Sequence, residues 1–262
     1  MKLEIKQLKY AYSTDCFVVD GVDLSIKKGE FVGLIGPNGC GKSTVLKNVY
    51  RVLKPSSGSI FIDNDNIEKL SYRNTAQKIS VVGQNQETTF DFTVREVVSM
   101  GRHPYKKLFE ADTKKEKELI LKCLESLGMQ DRINEKFSTL SGGEKQRVLL
   151  AKAVAQDTDF MILDEPTNHL DINYQIQIFD LLKNLNITVF TAIHDLNIAA
   201  LYCDRLLVIN KGKIVFEGTP EEVVSQKMIK EIYHVDAHVY QDKITKKVRV
   251  SYIPQYLKEE FK

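Results

Sequence analysis

The sequence predicts an α/β fold with a mostly parallel core sheet, an N-terminal antiparallel β subdomain and an inserted α-helical subdomain. Three observations support this class. Short apolar runs rich in β-branched residues recur between turn signals, which is typical of strands buried on both faces of a parallel sheet. These runs are residues 31–35, 79–82, 160–163, 188–193 and 206–209. The first thirty residues instead alternate between apolar and polar, and residues 93–155 carry no convincing strand pattern.

The N-terminal segment is predicted to form antiparallel strands. Turn signals at residues 13–15 and 27–29 bound stretches in which apolar side chains alternate with polar ones. The alternating apolar residues are Leu3, Ile5 and Leu8, followed by Val18, Val19, Val22, Leu24 and Ile26. Such alternation is typical of a sheet with one buried face.

The middle of the chain is predicted to be helical. Thr113 and Glu116 form a capping box, and Gly128 ends the helix that follows. One face of this helix is apolar and comprises Leu119, Ile120, Cys123, Leu124 and Leu127. Further on, a helix-like stretch over residues 220–233 precedes a stretch of alternating apolar residues that predicts a terminal hairpin. Its apolar residues are Ile244, Val248, Val250 and Tyr252.

We expect the whole chain, residues 1–262, to form a single domain. The parts are a core of residues 1–88 and 158–220, a helical subdomain of residues 89–157 and a C-terminal extension of residues 221–262. In sheets of this class, ligands bind beyond the carboxyl ends of the strands.

The composition excludes several classes of protein. The 262 residues include 37 basic and 35 acidic ones, and this net charge of +2 is too balanced for a clustered basic, nucleic-acid-binding surface. No apolar run reaches the roughly 18 residues that span a bilayer, and the N-terminus lacks a signal-peptide pattern. The cysteines are scattered, as expected of a reduced cytosolic protein without disulfides or a zinc site. We therefore expect a chain that is soluble by itself, so that any membrane part comes from another chain.

A glycine-rich loop follows the predicted strand 31–35 and precedes a helix that begins near Val45. It matches the P-loop pattern G-x-x-x-x-G-K-[ST] in the strand–loop–helix context that the pattern needs, which makes a chance match rare. Glycines let main-chain N–H groups approach phosphate oxygens, and the new helix adds N–H donors. Lys42 can reach the β- and γ-phosphates, and Ser43 can offer a hydroxyl to Mg²⁺. Cys40 is interpreted as a small residue that fits the loop, with thiol modification as the alternative. The predicted nucleotide-binding residues are Gly36, Pro37, Asn38, Gly39, Cys40, Gly41, Lys42, Ser43 and Thr44.

A second motif, Leu-Ser-Gly-Gly-Glu at residues 140–144, has two interpretations. In the simpler one, Ser141 and Glu144 form a capping box at the start of an apolar helix. This leaves two glycines unexplained, because glycine destabilises a helix. They are explained if the main chain at Gly142 and Gly143 must approach another group, and an anion is the natural ligand of a helix N-terminus.

With these motifs in place, the chain resembles the ATP-binding subunit of an ATP-binding cassette (ABC) transporter over essentially residues 3–220. The family's motifs occur in order: Walker A at 36–44, the Q-loop glutamine at Gln84, the signature at 140–144, Walker B at 160–165, the D-loop at 168–171 and the switch histidine at His194. The resemblance implies the P-loop NTPase fold of ABC ATPases, with ATP and Mg²⁺ as cofactors. It also implies that ATP hydrolysis is coupled to transmembrane transport.

The resemblance further implies roles for single residues. Tyr12 occupies the place of an aromatic residue that stacks on adenine, although Tyr10 is a nearby competitor and Tyr12 could be an ordinary strand residue. Gln84 would sense Mg²⁺ and the attacking water, and Asp171 would belong to the D-loop at the nucleotide. His194 would contact the γ-phosphate, whereas on its own it would be an ordinary strand-end histidine.

Asp164 and Glu165 follow the predicted strand 160–163. A carboxylate here suits Mg²⁺, and a glutamate beside a metal-bound triphosphate can orient or deprotonate the attacking water. Alternatively, Asp-Glu-Pro forms the first turn of a helix. Beside the other motifs, we predict that Glu165 is catalytic with Gln84 and His194. Asp164 then binds the metal with Ser43 and Gln84.

The separation of the phosphate loop from the signature by a helical subdomain predicts a dimer. In the family, two subunits pair head to tail, and Ser141 and Gly143 of one chain close over the ATP held by the other. Identical chains then form two composite sites related by a twofold axis. The implied partners are a second copy, transmembrane permease subunits and a substrate-binding protein, without nucleic acid. The implied location is the cytoplasmic side of the cell membrane, as a peripheral protein.

Three segments narrow the resemblance to importers of ferric siderophores, haem and cobalamin, namely residues 97–105, 167–171 and 194–199. In those systems the region near residues 90–105 contacts a coupling helix of the permease, although it could simply pack on the core. Two alternatives stay open: a soluble ABC ATPase of an iron–sulfur assembly scaffold, and a transporter ATPase for another cargo. A DNA-repair or chromosome-type clamp is disfavoured, because no long heptad segment separates the Walker motifs.

Overall fold

The structure, a computed structural model, describes residues 1–13, 16–83, 91–107, 110–167 and 170–258. The chain divides into two compact units, one formed by Met1–Asn66 with Phe190–Lys262 and the other by Ile67–Val189. Within the described ranges, no helix combines the length and the apolar character needed to cross a bilayer.

Strands and helices alternate along most of the chain, as the α/β class requires. Within the described residues, the strands are β1 (Leu3–Tyr10), β2 (Val19–Ile26), β3 (Phe31–Ile35), β4 (Ser57–Ile62), β5 (Asp65–Asn66), β6 (Ser80–Val82), β7 (Phe160–Asp164), β8 (Thr188–Ala192), β9 (Arg205–Asn210), β10 (Lys213–Gly218), β11 (Asp236–Gln241) and β12 (Val248–Ile253). The α-helices are α1 (Lys42–Val49), α2 (Tyr72–Lys78), α3 (Val94–Ser99), α4 (Lys114–Glu125), α5 (Gly142–Ala155), α6 (Ile172–Asn184), α7 (Leu196–Tyr202), α8 (Pro220–Val223) and α9 (Gln226–Tyr233).

The first unit contains an antiparallel sheet with the strand order β2-β1-β4-β5. Leu3 lies opposite Ile26 and Ile5 opposite Leu24, and all four side chains are buried. The antiparallel strands are confirmed. Buried residues alternate with less buried ones along β1 and β2, except where the register shifts between Ile5 and Leu8.

The same unit also contains strands in the order β10-β9-β3-β8. Strand β9 runs parallel to β3, and β10 pairs antiparallel at the edge. Every residue of β3 and β8 is buried. Their sequences are mostly apolar, and the two polar residues of β8, Thr188 and Thr191, are buried threonines. The N–H of Ile193 donates to the Leu34 carbonyl at 3.1 Å, so the carboxyl ends of β3 and β8 lie side by side.

The second unit combines parallel strands with packed helices. Ser80 of β6 lies opposite Met161 of β7 in a parallel pair, and the N–H of Thr188 at the start of β8 donates to the Asp159 carbonyl at 3.0 Å. Helices α3, α4 and α5 pack against one another. The predicted capping box at Thr113 is present at the start of α4, and the predicted apolar face of this helix is largely buried.

Gly101 marks a close approach within this unit. It lies in the 3₁₀ segment Met100–Tyr105, and a Cβ at this position would come within 2.3 Å of the Lys152 carbonyl oxygen. Next to it, the Arg102 guanidinium donates to the Ala155 carbonyl at 2.9 Å. The segment is therefore fixed against the C-terminal half of α5.

The structure confirms the predicted fold class and differs from the sequence-based elements in detail. Residues 220–233 form two helices rather than one stretch, because Val224 is non-helical (φ −78°, ψ 99°) and Ser225 caps α9. Ile244 is 90% exposed in the turn of the terminal hairpin instead of lying in a strand. Strands β4 and β10 were not predicted, because half-buried strands lack a continuous apolar run.

Candidate functional site

The predicted phosphate loop joins β3 to α1 and has a glycine-dependent conformation. Gly36 has a φ of 154° and Gly41 a φ of 108°. A Cβ at Gly36 would lie 2.2 Å from the Ile209 carbonyl oxygen, and one at Gly41 would lie 2.8 Å from the Val18 carbonyl oxygen. Only glycine satisfies both conditions, so these residues are required by the path of the loop.

Helix α1 begins without a side-chain cap. Its N-cap residue is Gly41, which has no side chain that could accept a hydrogen bond from the first turn. The N–H groups of the first turn and the positive end of the helix dipole therefore face the loop, where an anionic ligand suits them.

Lys42 brings a positive charge to the same place. It is the first residue of α1 and is only 5% exposed. Its ammonium donates to the carbonyl oxygens of Gly36 at 2.8 Å and Pro37 at 3.1 Å. The charge thus lies against the main chain of the loop, where it can bind phosphate oxygens.

Cys40 is buried within the loop. A Cβ added at Gly36 would lie 2.8 Å from the Cys40 Sγ. Burial raises the pKa of the Cys40 thiol, against the opposing effect of Lys42. Because a buried, protonated thiol reacts slowly, the interpretation of Cys40 as a small packing residue is favoured over thiol modification.

Tyr12 lies beside the start of α1. Its hydroxyl is 3.3 Å from Thr44 Oγ1, and its ring meets Tyr10 edge to face, with centroids 5.0 Å apart. The Tyr12 side chain is 62% exposed, whereas Tyr10 is half-buried in β1. Of the two candidates, Tyr12 is the one with a ring available to stack on a planar base.

His194 and the phosphate loop are brought together at the strand ends. His194 follows β8 and is exposed. With Gly36, Pro37 and Asn38 it lines a cleft of about 490 Å³. This is the edge at which ligands bind in parallel sheets, so one ligand can contact both the loop and the histidine.

In the second unit, Asp164 and Glu165 end β7 in a strained turn. Asp164 is completely buried, and Glu165 has a φ of 56°, in the left-handed region. A side chain in this conformation costs free energy, and such strain is concentrated at functional sites. The next helix, α6, begins at Ile172 with Asp171 as its N-cap. The alternative that Asp-Glu-Pro forms the first turn of a helix is therefore wrong.

The signature motif forms the start of α5. The predicted capping box is confirmed: the Ser141 N–H donates to Glu144 Oε2 at 2.9 Å, and the Ser141 hydroxyl does so at 2.7 Å. These bonds lower the pKa of the Glu144 carboxyl. A Cβ at Gly142 would meet nothing within 4 Å, whereas one at Gly143 would lie 3.1 Å from Leu170. The open space over Gly142 is what the second interpretation of the motif requires.

Two glutamines that the sequence did not single out hold the turn after Glu165. Gln146 of α5 donates to the Pro166 carbonyl at 2.9 Å, and Gln175 of α6 donates to the Leu170 carbonyl at 3.1 Å. Gln146 thereby joins the signature helix to the turn that carries Glu165. No local pattern reveals the first of these bonds, because Gln146 and Pro166 are 20 residues apart in sequence.

The residues predicted to bind Mg²⁺ offer oxygen ligands, as this hard cation prefers. Asp164 supplies a carboxylate and Ser43 a hydroxyl, so their chemistry fits the ion. The third predicted ligand, Gln84, lies outside the described residues, as do Asn168 and His169 of the D-loop.

Known proteins are similar to this chain in sequence and in fold. A family model described as ABC transporter matches residues 19–168. The petrobactin import ATP-binding protein FpuD of Bacillus anthracis is 36% identical over 244 residues, which are 92% of this chain and 89% of that protein. The ferric enterobactin transport ATP-binding protein FepC of Escherichia coli (strain K12) is 37% identical over 231 residues, 87% and 85% of the two chains. A bacterial ABC transporter cassette solved as a dimer has a TM-score of 0.73 at 29% identity, covering 83% of this chain and 98% of that one.

Proposed function

Because the chain belongs to the ABC transporter family as an ATP-hydrolysing subunit, we propose that it powers an importer of ferric siderophores, haem or cobalamin-type chelates. Relatives named for petrobactin import, ferric enterobactin transport and iron(3+)-hydroxamate import support this cargo class. A cobalamin import ATP-binding protein is also 37% identical over 241 residues. Since the cargo need not touch the ATPase subunit, the class comes from these relatives rather than from side chains of the site.

The main support for ATP binding is the phosphate loop. Its uncapped helix start, its buried Lys42 and the cleft beside His194 suit a triphosphate. Tyr12 would stack on the adenine. Ser43, Asp164 and Gln84 would hold Mg²⁺, which would neutralise phosphate charge when bound.

Hydrolysis is assigned to the residues after β7 and β8. Glu165 would orient or deprotonate the attacking water, and its strained backbone conformation would hold the carboxylate in one direction. His194 would contact the γ-phosphate, and Gln84 would report the bound nucleotide to the helical segment 89–157. Phosphoryl transfer depends mainly on such positioning and on electrostatic stabilisation.

A second copy of the chain would complete each site. Ser141, Gly143 and Asp171 would close over the ATP held by the partner, head to tail. The space over Gly142, where a Cβ would meet no atom within 4 Å, leaves room for that nucleotide. The related cassette solved as a dimer supports this arrangement. ATP binding would then favour the dimer, and hydrolysis would release it.

Ser141→Arg tests the composite site. We expect it to abolish hydrolysis, because the long side chain blocks the open helix start, while ATP binding by a single chain persists. Turnover and nucleotide titration measure the two effects. Thr113→Arg is the matched control, since Thr113 caps α4 with the same kind of capping box and should leave turnover unchanged. Normal turnover of Ser141→Arg, or loss of its single-chain ATP binding, would contradict the closure across the dimer.

The importer requires further chains. Permease subunits would supply the membrane path, and a substrate-binding protein would deliver the cargo. Residues 90–105 would contact the permease. The ATPase subunit would then lie on the cytoplasmic face of the membrane as a peripheral protein.

One experiment separates the proposed importer from two other assignments, an iron–sulfur assembly ATPase and a transporter ATPase for another cargo. Tagged Glu165→Gln, trapped with ATP in the native host, is purified from detergent-solubilised membranes and its bound partners are identified. We expect a permease with many helices, and an accompanying chelate-binding protein would specify the cargo class. A soluble scaffold as the sole partner would instead indicate an iron–sulfur assembly ATPase. A permease with an unrelated binding protein would indicate another cargo. Lys42→Ala, which should fail to trap ATP, controls for nonspecific capture.

A further inference from the structure

The C-terminal hairpin is clamped to the helix that follows His194. The Val250 N–H of β12 donates to Asn197 Oδ1 at 2.8 Å, and Asn197 Nδ2 donates to the Val250 carbonyl at 3.2 Å. Val250 lies opposite Val239 of β11, yet both of its main-chain groups point to Asn197. They therefore point away from β11, and the Asn197 amide pairs with the hairpin edge as another strand would.

His194 is held between a buried strand and this helix. On the strand side, the N–H of the preceding Ile193 donates to the Leu34 carbonyl at 3.1 Å. On the helix side, Asp195 Oδ1 accepts the N–H of Asn197 at 2.7 Å and that of Ile198 at 3.1 Å. The strand side is fixed by the core. The helix side depends on how α7 is held, and α7 packs on β12 through Asn197.

The same C-terminal extension forms a wall of the His194 cleft. Tyr233 and His234, at the end of α9, line this cleft together with Gly36 and His194. The Tyr233 hydroxyl is buried in this wall. Burial raises the pKa of this phenol, so it stays neutral. Helix α9 also packs on β11, and β11 pairs with β12. The helix that lines the cleft and the strand bound by Asn197 are therefore parts of the same C-terminal extension.

We infer that Asn197 is a positioning residue for ATP hydrolysis, because it clamps the C-terminal hairpin to α7 and thereby fixes His194 beside the phosphate loop. The inference rests on the proposed role of His194. If Asn197 positions His194 in this way, residues 221–253, which contain none of the family's motifs, also contribute to ATP hydrolysis. Since Asn197 and the hairpin do not hold the loop itself, they should affect turnover more than nucleotide affinity.

The test compares Asn197→Ala and Asn197→Asp with the wild-type full chain. Aspartate keeps the shape and the acceptor for the Val250 N–H, but it places an oxygen opposite the Val250 carbonyl, so it breaks the clamp with little loss of packing. We expect kcat to fall about tenfold in both variants, as small displacements of reacting groups do, with KM for ATP unchanged. Ser251→Ala, next to Val250 with an exposed side chain, is the matched control and should match the wild type.

The outcomes separate this inference from the proposed function. A lower melting temperature with unchanged kcat would mean a purely structural clamp and would overturn the inference. A raised KM with unchanged kcat would place the effect on nucleotide binding and would also overturn it. If His194→Ala slows turnover and Asn197→Asp does not, the inference fails while the role of His194 stands. If His194→Ala hydrolyses ATP normally, the role of His194 fails as well.

Discussion

Replacement of Glu165 by glutamine is expected to lower the rate of ATP hydrolysis by about two to four orders of magnitude, the usual contribution of a general base. ATP binding should persist, because the phosphate loop and Lys42 are untouched. The ATP-bound dimer should therefore accumulate, since its release depends on hydrolysis. Single-turnover hydrolysis and size-exclusion chromatography with ATP measure both effects in the same preparation.

The control for this variant is Glu125→Gln, which removes the same charge from an exposed position on α4. It should hydrolyse ATP at the wild-type rate and remain a monomer under the same conditions. Near wild-type turnover of Glu165→Gln would show that another group activates the water. Loss of ATP binding would show instead that the strained turn at Glu165 had collapsed.

Replacement of Lys42 by alanine is expected to weaken ATP binding. A hydrogen bond to a charged group contributes about 1.5–3 kcal/mol, which corresponds to an affinity loss of roughly 10- to 100-fold. Titration of the purified chain with ATP measures the loss. Because hydrolysis needs bound nucleotide, turnover at low ATP should fall at least as much.

Two controls separate the charge from the structure of the loop. Lys47→Ala removes a lysine from the last turn of the same helix and should leave ATP affinity unchanged. The Lys42 ammonium also bonds the Gly36 and Pro37 carbonyls, so thermal melting of Lys42→Ala without nucleotide reports any damage to the loop. An unchanged ATP affinity would refute the assignment of the loop to phosphate binding.

Much of the fold could be predicted because burial leaves a periodic trace in the sequence. Strands β3 and β8 are buried on both faces and are mostly apolar, whereas β1 and β2 largely alternate between buried and less buried residues. Strand β10 escaped prediction because its residues alternate only between exposed and half-buried at the sheet edge. Local capping boxes were equally predictable, since both partners lie within one turn.

The site was predictable where its chemistry is local and not where it depends on distant contacts. The phosphate loop and the signature are short motifs whose spacing follows from their geometry. The left-handed backbone at Glu165 and the Gln146 bond to Pro166 have no such trace. The same is true of the Asn197 clamp, whose partners are 53 residues apart. Tertiary structure alone creates these features.

The close approach at Gly101 gives α5 the properties of a lever. The helix has 14 residues, so it is about 20 Å long and stiff. Its C-terminal end contacts the segment Met100–Tyr105 at Gly101 and Arg102. The other end carries Ser141 and Gly142. Because a stiff helix moves as one body, we expect a displacement of the 3₁₀ segment to shift the signature without any change in secondary structure.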